Sequence, residues 1–149
     1  MTKIGVAKLL VLEDNDEDFQ ALEIACEDSD RAIRVTRFNR AEPLIEQVGD
    51  ATIDYPSLAL FDLRMPGVGG MEALEAFKSD ARLCTVPCVV LSTSTNPIEV
   101  AECYRLGANA FHEKLVETPT MIARLKTILN YWLEEADLAE PARSETHAE

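Results

Sequence analysis

The sequence has 149 residues, with 27 acidic and 14 basic side chains and a formal net charge of −13. This length is typical of one domain, and a hydrophobic fraction of 47% is enough to form one buried core. The charge argues against direct binding of nucleic acid, whose phosphates are held by clustered lysine and arginine. No apolar run approaches the roughly 20 residues that cross a bilayer, and the start lacks a signal-peptide profile. We therefore expect a cytosolic protein without a membrane partner.

Short apolar runs alternate with amphipathic stretches along the chain. The first, third and fourth runs are too continuously apolar to have a solvent face, which is typical of strands inside parallel sheets. The pattern predicts an α/β fold with a doubly wound, five-stranded parallel sheet. In chain order the predicted strands are 8–12, 33–35, 58–61, 88–91 and 108–111. The predicted helices are 16–29, 41–49, 71–79, 97–106 and a last one with Thr118 as N-cap and Pro119 at its first position.

The chain turns polar after about residue 136. We expect one domain over residues 1–136 and a short, flexible acidic tail over residues 137–149. We expect no effector domain after this one, so that any output would pass through partners or a shared kinase pool.

The last predicted helix carries more apolar surface than one sheet contact needs. We expect the stripe that faces the sheet to consist of residues at helical spacing, namely Ile122, Leu125, Leu129 and Leu133. The apolar and aromatic residues left toward the rim, beside the fourth helix, are Tyr104, Ile128, Tyr131 and Trp132. An exposed aromatic cluster predicts a partner surface. The alternative is that Trp132 folds back as a local cap on the domain.

Polar side chains stand where the predicted strands end. They are Glu13, Asp14, Asp62, Ser92 and Lys114. Because ligands of open α/β sheets gather outside the carboxyl ends of the strands, we expect these groups to form one site.

The chemistry of the set predicts phosphoryl transfer to an aspartate. Three carboxylates at one edge repel each other unless a cation neutralises them, and hard oxygen ligands suit Mg²⁺. With such an ion beside it, the central Asp62 can act as a nucleophile toward phosphorus. The Ser92 hydroxyl and the Lys114 ammonium then supply donors to the phosphoryl oxygens. Thr93, Ser94 and Thr95 are alternative hydroxyls, although spacing from the strand favours Ser92.

Two rival functions fail on the same residues. A flavodoxin-like FMN protein needs a loop that donates to phosphate after its first strand, whereas residues 13–18 here are acidic apart from Asn15. A phosphatase with an aspartyl nucleophile usually has a second acid two residues later, where this chain has Arg64.

Four segments together resemble the receiver domains of two-component response regulators, over about residues 7–133. The segments are 10–15 (LVLEDN), 61–67 (FDLRMPG) followed by Gly70-Met71, 90–94 (VLSTS) and 107–114 (GANAFHEK). The resemblance implies the flavodoxin-like strand order 2-1-3-4-5 and phosphorylation of Asp62 by a sensor histidine kinase.

The same resemblance implies roles for individual residues. Glu13 and Asp14 would hold Mg²⁺ with Asp62, and the backbone carbonyl of Arg64 would complete the protein ligands. Ser92 would bind a phosphoryl oxygen and move on activation, and Lys114 would pair with the phosphate. Phe111 would occupy the aromatic switch position. The face of the fourth helix, fifth strand and fifth helix would then form a phosphorylation-sensitive homodimer or kinase contact.

A narrower similarity lies in the C-terminal run 125–134 and the Ser-Thr-Ser segment. Both look like small stand-alone regulators that partner phytochrome-type histidine kinases, which implies a bacteriophytochrome as the kinase.

One position departs from the family pattern, which has proline after the lysine, usually joined by a cis peptide. Here Leu115 follows Lys114, and a cis bond before leucine costs about 2.5 to 4 kcal/mol relative to trans. We therefore expect a trans bond or, if the bond is cis, a strained one held by contacts at the phosphate site. The missing proline also leaves an alternative function open, a receiver-like interaction module that works without phosphate.

Overall fold

The computed structural model describes residues 5–65, 67 and 69–141 as an α/β sandwich. Five parallel strands lie in the order β2-β1-β3-β4-β5, which confirms the predicted sheet. The strands are β1 (Ala7–Leu12), β2 (Ile33–Phe38), β3 (Leu58–Asp62), β4 (Cys88–Ser92) and β5 (Ala110–Glu113). The helices are α1 (Asp16–Glu27), α2 (Ala41–Gly49), α3 (Gly70–Ser79), α4 (Pro97–Arg105) and α5 (Thr118–Asn130), followed by a wider π-type turn at Tyr131–Glu135.

Two apolar layers hold the helices on the sheet. Alternate strand side chains point to opposite faces, so Leu12 and Phe61 pack under α2, α3 and α4. Their neighbours Val11 and Leu60 pack under α1 and α5. The strands that carry the predicted site, β1, β3 and β4, are therefore almost completely buried.

The fifth strand begins two residues later than predicted. The backbone N–H of Asn109 donates to the carbonyl of Cys88, and its side-chain Oδ1 accepts from the N–H of Cys88, both at 2.8 Å. Asn109 thus fixes the turn before β5 to the first residue of β4, and the pairing of β5 with β4 starts at Ala110. Lys114 follows the strand directly, as expected.

The start of α5 also differs by one residue. Thr118 is already helical, and Glu117 is the N-cap, because the carbonyl of Glu117 accepts the first helical hydrogen bond, from the N–H of Met121 at 3.0 Å.

The prediction that Ile128 lies at the exposed rim of α5 is wrong, because this residue is only 3% exposed. Helix α5 packs on α1 as well as on the sheet. A helix between two neighbours buries a wider stripe than one contact needs. Trp132 is half-buried against the same layer, and its ring meets that of Tyr131 edge to face. Tyr104 and Tyr131 remain about half exposed.

Arg31 joins the two ends of the described fold at the amino edge of the sheet. It lies between α1 and β2, and its guanidinium donates to the carbonyl of Gly5 at 3.0 Å and to that of Leu133 at 2.7 Å.

Within the described ranges, no helix is long and apolar enough to cross a membrane. The predicted tail over residues 137–149 falls mostly outside the described residues, and it stays a prediction, as does the cytosolic location.

Candidate phosphoacceptor site

Buried polar side chains mark the carboxyl edge of the sheet. Among the residues that the structure describes, Glu13, Asp62 and Ser92 are the buried polar or charged ones. Asp62 is the last residue of β3, Ser92 the last of β4, and Glu13 follows β1. Burial of a polar group is unfavourable unless it has partners. The concentration of all three at one edge is therefore typical of a functional site.

Lys114 supplies the positive charge of this site. Its Nζ lies 2.8 Å from Glu13 Oε1, 2.9 Å from Asp18 Oδ2 and 3.3 Å from Asp62 Oδ2. Burial alone lowers the pKa of Lys114. The hydrogen bonds and charges of these carboxylates more than offset that effect, so its pKa lies above the ordinary value. The lysine is therefore charged and ties β5 to β1, α1 and β3.

When both are ionised, the two buried carboxylates carry more negative charge than one ammonium balances. Burial raises the pKa of Glu13 to about 7, although the hydrogen bond and charge of Lys114 lower it. Burial also raises the pKa of Asp62, against the charge of Lys114 and the N–H of Arg64. A further cation bound beside these carboxylates would stabilise their ionised forms.

The exposed Asp14 completes an oxygen-lined cluster. One ligand oxygen from each of Glu13, Asp14 and Asp62 can lie within 4.8 Å of the others. Oxygen donors at this spacing fit a hard divalent ion such as Mg²⁺. The structure brings four of the five predicted groups together, since Lys114 bridges two of the three clustered carboxylates. The fifth, Ser92, ends the strand beside Asp62.

Arg37, at the end of β2, braces the loop that carries these carboxylates. Its Nε donates to the carbonyl of Glu13 at 2.9 Å, and its Nη2 lies 2.9 Å from Asp16 Oδ1. The guanidinium also lies over the ring of Phe19, 4.5 Å from the centroid. Arg37 was not among the residues predicted from the sequence. The signal would have been a basic residue at a strand end next to the acidic run.

The loop after β3 is fixed from two sides. The N–H of Arg64 donates to Asp62 Oδ1 at 3.1 Å, and its side-chain Nη2 pairs with Glu99 Oε1 of α4 at 2.8 Å. The same oxygen accepts the hydroxyl of Ser94 at 2.8 Å. The role of the Arg64 carbonyl as a metal ligand stays a prediction.

Ser92 is the buried one among the four candidate hydroxyl residues of its loop. It is fully enclosed, whereas Thr93 and Thr95 are exposed and Ser94 is half-buried and bonded to Glu99. Ser92 Oγ accepts the N–H of Ser94 at 3.1 Å, which leaves its own proton free to donate. This arrangement favours Ser92 as the hydroxyl that would donate a hydrogen bond to the phosphoryl group.

Phe111, the predicted switch residue, lies on β5 beside α4. Its ring is half-buried against the layer under α2, α3 and α4, and its N–H donates to the hydroxyl of Tyr104 at 3.1 Å. Phe111 therefore contacts the core layer through its ring and the exposed Tyr104 of α4 through its backbone.

The peptide bond between Lys114 and Leu115 is trans, as predicted, since no bond in the described ranges is cis. The N–H of Leu115 points to Met121 Sδ at 3.2 Å, and its side chain packs against the layer under α1 and α5. Lys114 thus reaches the site without a proline after it.

A family model and several known proteins match this chain. A family model described as response regulator receiver domain matches residues 9–126. The chain is 34% identical to the response regulator Rcp1 of Synechocystis, over 56% of each protein. It is 32% identical to the probable methanogenesis regulatory protein FilR2 of Methanothrix harundinacea, over 57% of this chain and 62% of that protein. The chain thus spans somewhat more than half the length of these curated relatives.

Two solved structures cover nearly the whole chain. The phosphorylated cyanobacterial phytochrome response regulator RcpA is 28% identical, with a TM-score of 0.86 over 91% of this chain and 100% of that one. The Mn²⁺-bound form of Rcp1 is 25% identical, with a TM-score of 0.82 over 90% of this chain and 99% of that one.

Proposed function

Because this chain belongs to the response regulator receiver domain family, we propose that it accepts a phosphoryl group on Asp62 from a sensor histidine kinase. Phosphorylation would then change the surface formed by α4, β5 and α5. The observation that carries the proposal is the bridge from Lys114 Nζ to both Glu13 and Asp62, which puts a fixed cation beside a buried strand-end carboxylate.

Each residue of the site has a separate task in the transfer. A carboxylate oxygen of Asp62 attacks phosphorus, the P–N bond of the donor phosphohistidine breaks, and its electron pair stays on the imidazole. Ser92 Oγ and Lys114 Nζ donate hydrogen bonds to the transferred phosphoryl oxygens. Glu13, Asp14 and Asp62, with the carbonyl of Arg64, would hold Mg²⁺. The ion supplies positive charge between the two reacting anions.

The missing proline lends a little weight to a phosphate-independent interaction module. The contacts of Lys114 weaken that alternative, since the ammonium lies at the acidic site with a trans bond behind it. We therefore propose a phosphoacceptor that turns over no external substrate.

The acceptor can be tested by chemical trapping. Incubation with acetyl phosphate and Mg²⁺, followed by borohydride reduction and mass spectrometry, should label Asp62 alone. Asp62→Asn should carry no label. Label on another residue of the wild type, or label retained in the variant, would contradict the assignment.

The metal can be tested on the same assay. Excess EDTA should abolish labelling, and Asp14→Asn should weaken Mg²⁺ binding and labelling together. Asp54→Asn is a matched control, because this exposed acid pairs with Lys8 at the other end of β1. Labelling that persists in EDTA would exclude the metal role.

For the partner, we infer a phytochrome-type histidine kinase from the likeness to RcpA and Rcp1. Phosphotransfer profiling against the kinases of the source genome tests this. Preferred transfer from a kinase without a light-sensing module would refute it.

For assembly, we infer a homodimer through the exposed aromatic residues Tyr104 and Tyr131, with Trp132 at their edge. In sedimentation over a concentration series, Tyr131→Ala should shift the protein toward monomer, whereas Ile24→Ala, at an exposed apolar residue of α1, should not. A wild-type protein that is monomeric with and without beryllofluoride would overturn the dimer.

A further inference from the structure

Asp18 contacts the site from helix α1, although it ends no strand. Its Oδ2 lies 2.9 Å from Lys114 Nζ, across 96 positions of the sequence. The side chain of Lys114 is 10% exposed and that of Asp18 46%. The contact therefore closes the site at its solvent side.

The cap of α1 aims Asp18 at this lysine. Asp18 is the third residue of the helix, and its N–H donates to Asn15 Oδ1 at 2.8 Å. In a capping box, an acid at this position would accept the N–H of the N-cap residue. Here the N–H of Asn15 donates to Glu13 Oε2 at 3.1 Å instead. The carboxylate of Asp18 is consequently available to Lys114.

The three carboxylates that bind Lys114 differ in their other roles in the proposed transfer. A lysine ammonium has three N–H donors, and three carboxylates surround it here. In the proposed transfer, Glu13 is a metal ligand and Asp62 forms the new bond to phosphorus. Asp18 has neither task, so its contact with Lys114 can persist while the other two change.

We propose that Asp18 is a positioning residue that holds the Lys114 ammonium at the phosphoryl site throughout the transfer. The inference rests on the proposed function for the transfer itself. Without Asp18, the flexible four-carbon stem of Lys114 has no fixed partner once Glu13 and Asp62 are engaged.

The first measurement needs no phosphate. At saturating Mg²⁺, where Glu13 and Asp62 would be engaged as metal ligands, the ¹⁵N-ammonium NMR signal of Lys114, assigned by its absence in Lys114→Arg, should be sharp in the wild type. Asp18→Asn keeps the shape and the cap of α1 but loses the charge, and it should broaden that signal. Glu17→Gln is the matched control, because it removes one charge from the same exposed turn. A signal equally sharp in Asp18→Asn and in Glu17→Gln would overturn the proposal that Asp18 holds Lys114.

The second measurement follows binding and transfer. At saturating Mg²⁺, Asp18→Asn should lower the affinity for beryllofluoride and the rate of labelling by acetyl phosphate by about threefold to tenfold relative to Glu17→Gln. The affinity for Mg²⁺ alone should match that of Glu17→Gln, and Asp18→Glu should restore part of the rate. Labelling at the Glu17→Gln rate, or faster, refutes the proposal.

Failure of the two proposals is distinguishable. If wild-type Asp62 takes no label, the proposed function fails, and the ammonium signal still decides whether Asp18 holds Lys114. Thermal unfolding by circular dichroism checks that every variant is folded.

Discussion

At the scale of single residues, Gly70 allows helix α3 to begin directly against the end of β3. A Cβ at this position would lie 2.1 Å from the carbonyl oxygen of Asp62 and 2.9 Å from Cα of Leu63. Both are backbone atoms of the segment that carries the phosphoacceptor, and backbone cannot rotate away as a long side chain can. The absence of a side chain at Gly70 is therefore a condition for the position of Asp62.

Gly70→Ala should destabilise the protein by about 1 to 3 kcal/mol through overpacking and slow labelling of Asp62. Gly49→Ala, at the end of α2 where a Cβ meets nothing within 4 Å, should instead stabilise by about 0.4 to 1 kcal/mol. Urea unfolding of both variants measures the difference. Equal stability of the two would contradict the steric argument.

The residues that end strands could be predicted from the sequence, because a polar side chain that closes a buried apolar run has a position defined by that run. Asp62 and Ser92 are of this kind. Asp18 and Arg37 could not be found in this way. Their contacts depend on how α1 and β2 pack beside the site, which local periodicity does not specify.

At the scale of elements, helix α4 is attached to the domain by few apolar contacts. Its one buried residue is Cys103. Glu99 compensates, since its Oε1 binds both Arg64 of the loop after β3 and Ser94 of the loop after β4. One carboxylate oxygen thus ties α4 to both loops of the phosphoacceptor site, and we name this set of contacts the Glu99 clasp.

Glu99→Gln keeps an acceptor for Ser94 but loses the charge that pairs with Arg64. Amide hydrogen exchange in α4 should rise by about twofold to fivefold, the range expected for a partly exposed ion pair. Glu102→Gln is the control, because Glu102 pairs with Arg105 on α4 itself. Exchange that changes equally in both variants would mean that the Glu99 clasp does not hold the helix.

Helix bounds and the sheet follow from local patterns, whereas the buried side of a helix depends on all its neighbours. Ile128 illustrates the difference. Its spacing allowed a rim position, and only the packing of α5 on α1 encloses it.

At the scale of the whole molecule, negative charge is both excessive and unevenly placed. The net charge is −13, and the segment from Glu13 to Asp18, which includes the first turn of α1, concentrates acids at the edge where Asp62 also lies. Repulsion among like charges destabilises a compact state. A bound divalent ion should relieve this repulsion more than screening by salt does.

Mg²⁺ should therefore raise the midpoint of thermal unfolding beyond the effect of NaCl at equal ionic strength. At a free concentration 100 times the Kd, the stabilisation is about 2.7 kcal/mol, or about 5 to 10 °C for a domain of this size. Asp14→Asn should lose most of this difference, as differential scanning calorimetry would measure. An Mg²⁺ effect no larger than that of NaCl would argue against specific binding.

The contacts of Arg31 have a consequence for how this domain can be used as a building block. One guanidinium reaches the carbonyls of Gly5 and Leu133, so the polypeptide enters and leaves the fold side by side. This point precedes β1, whose six residues span about 20 Å to the edge that carries Glu13. A host protein could therefore accept the domain as an insertion in one surface loop, and the phosphoacceptor would face away from the junction. A short linker between the same two points would likewise permit circular permutation, with new ends opened at the exposed turn around Ala51.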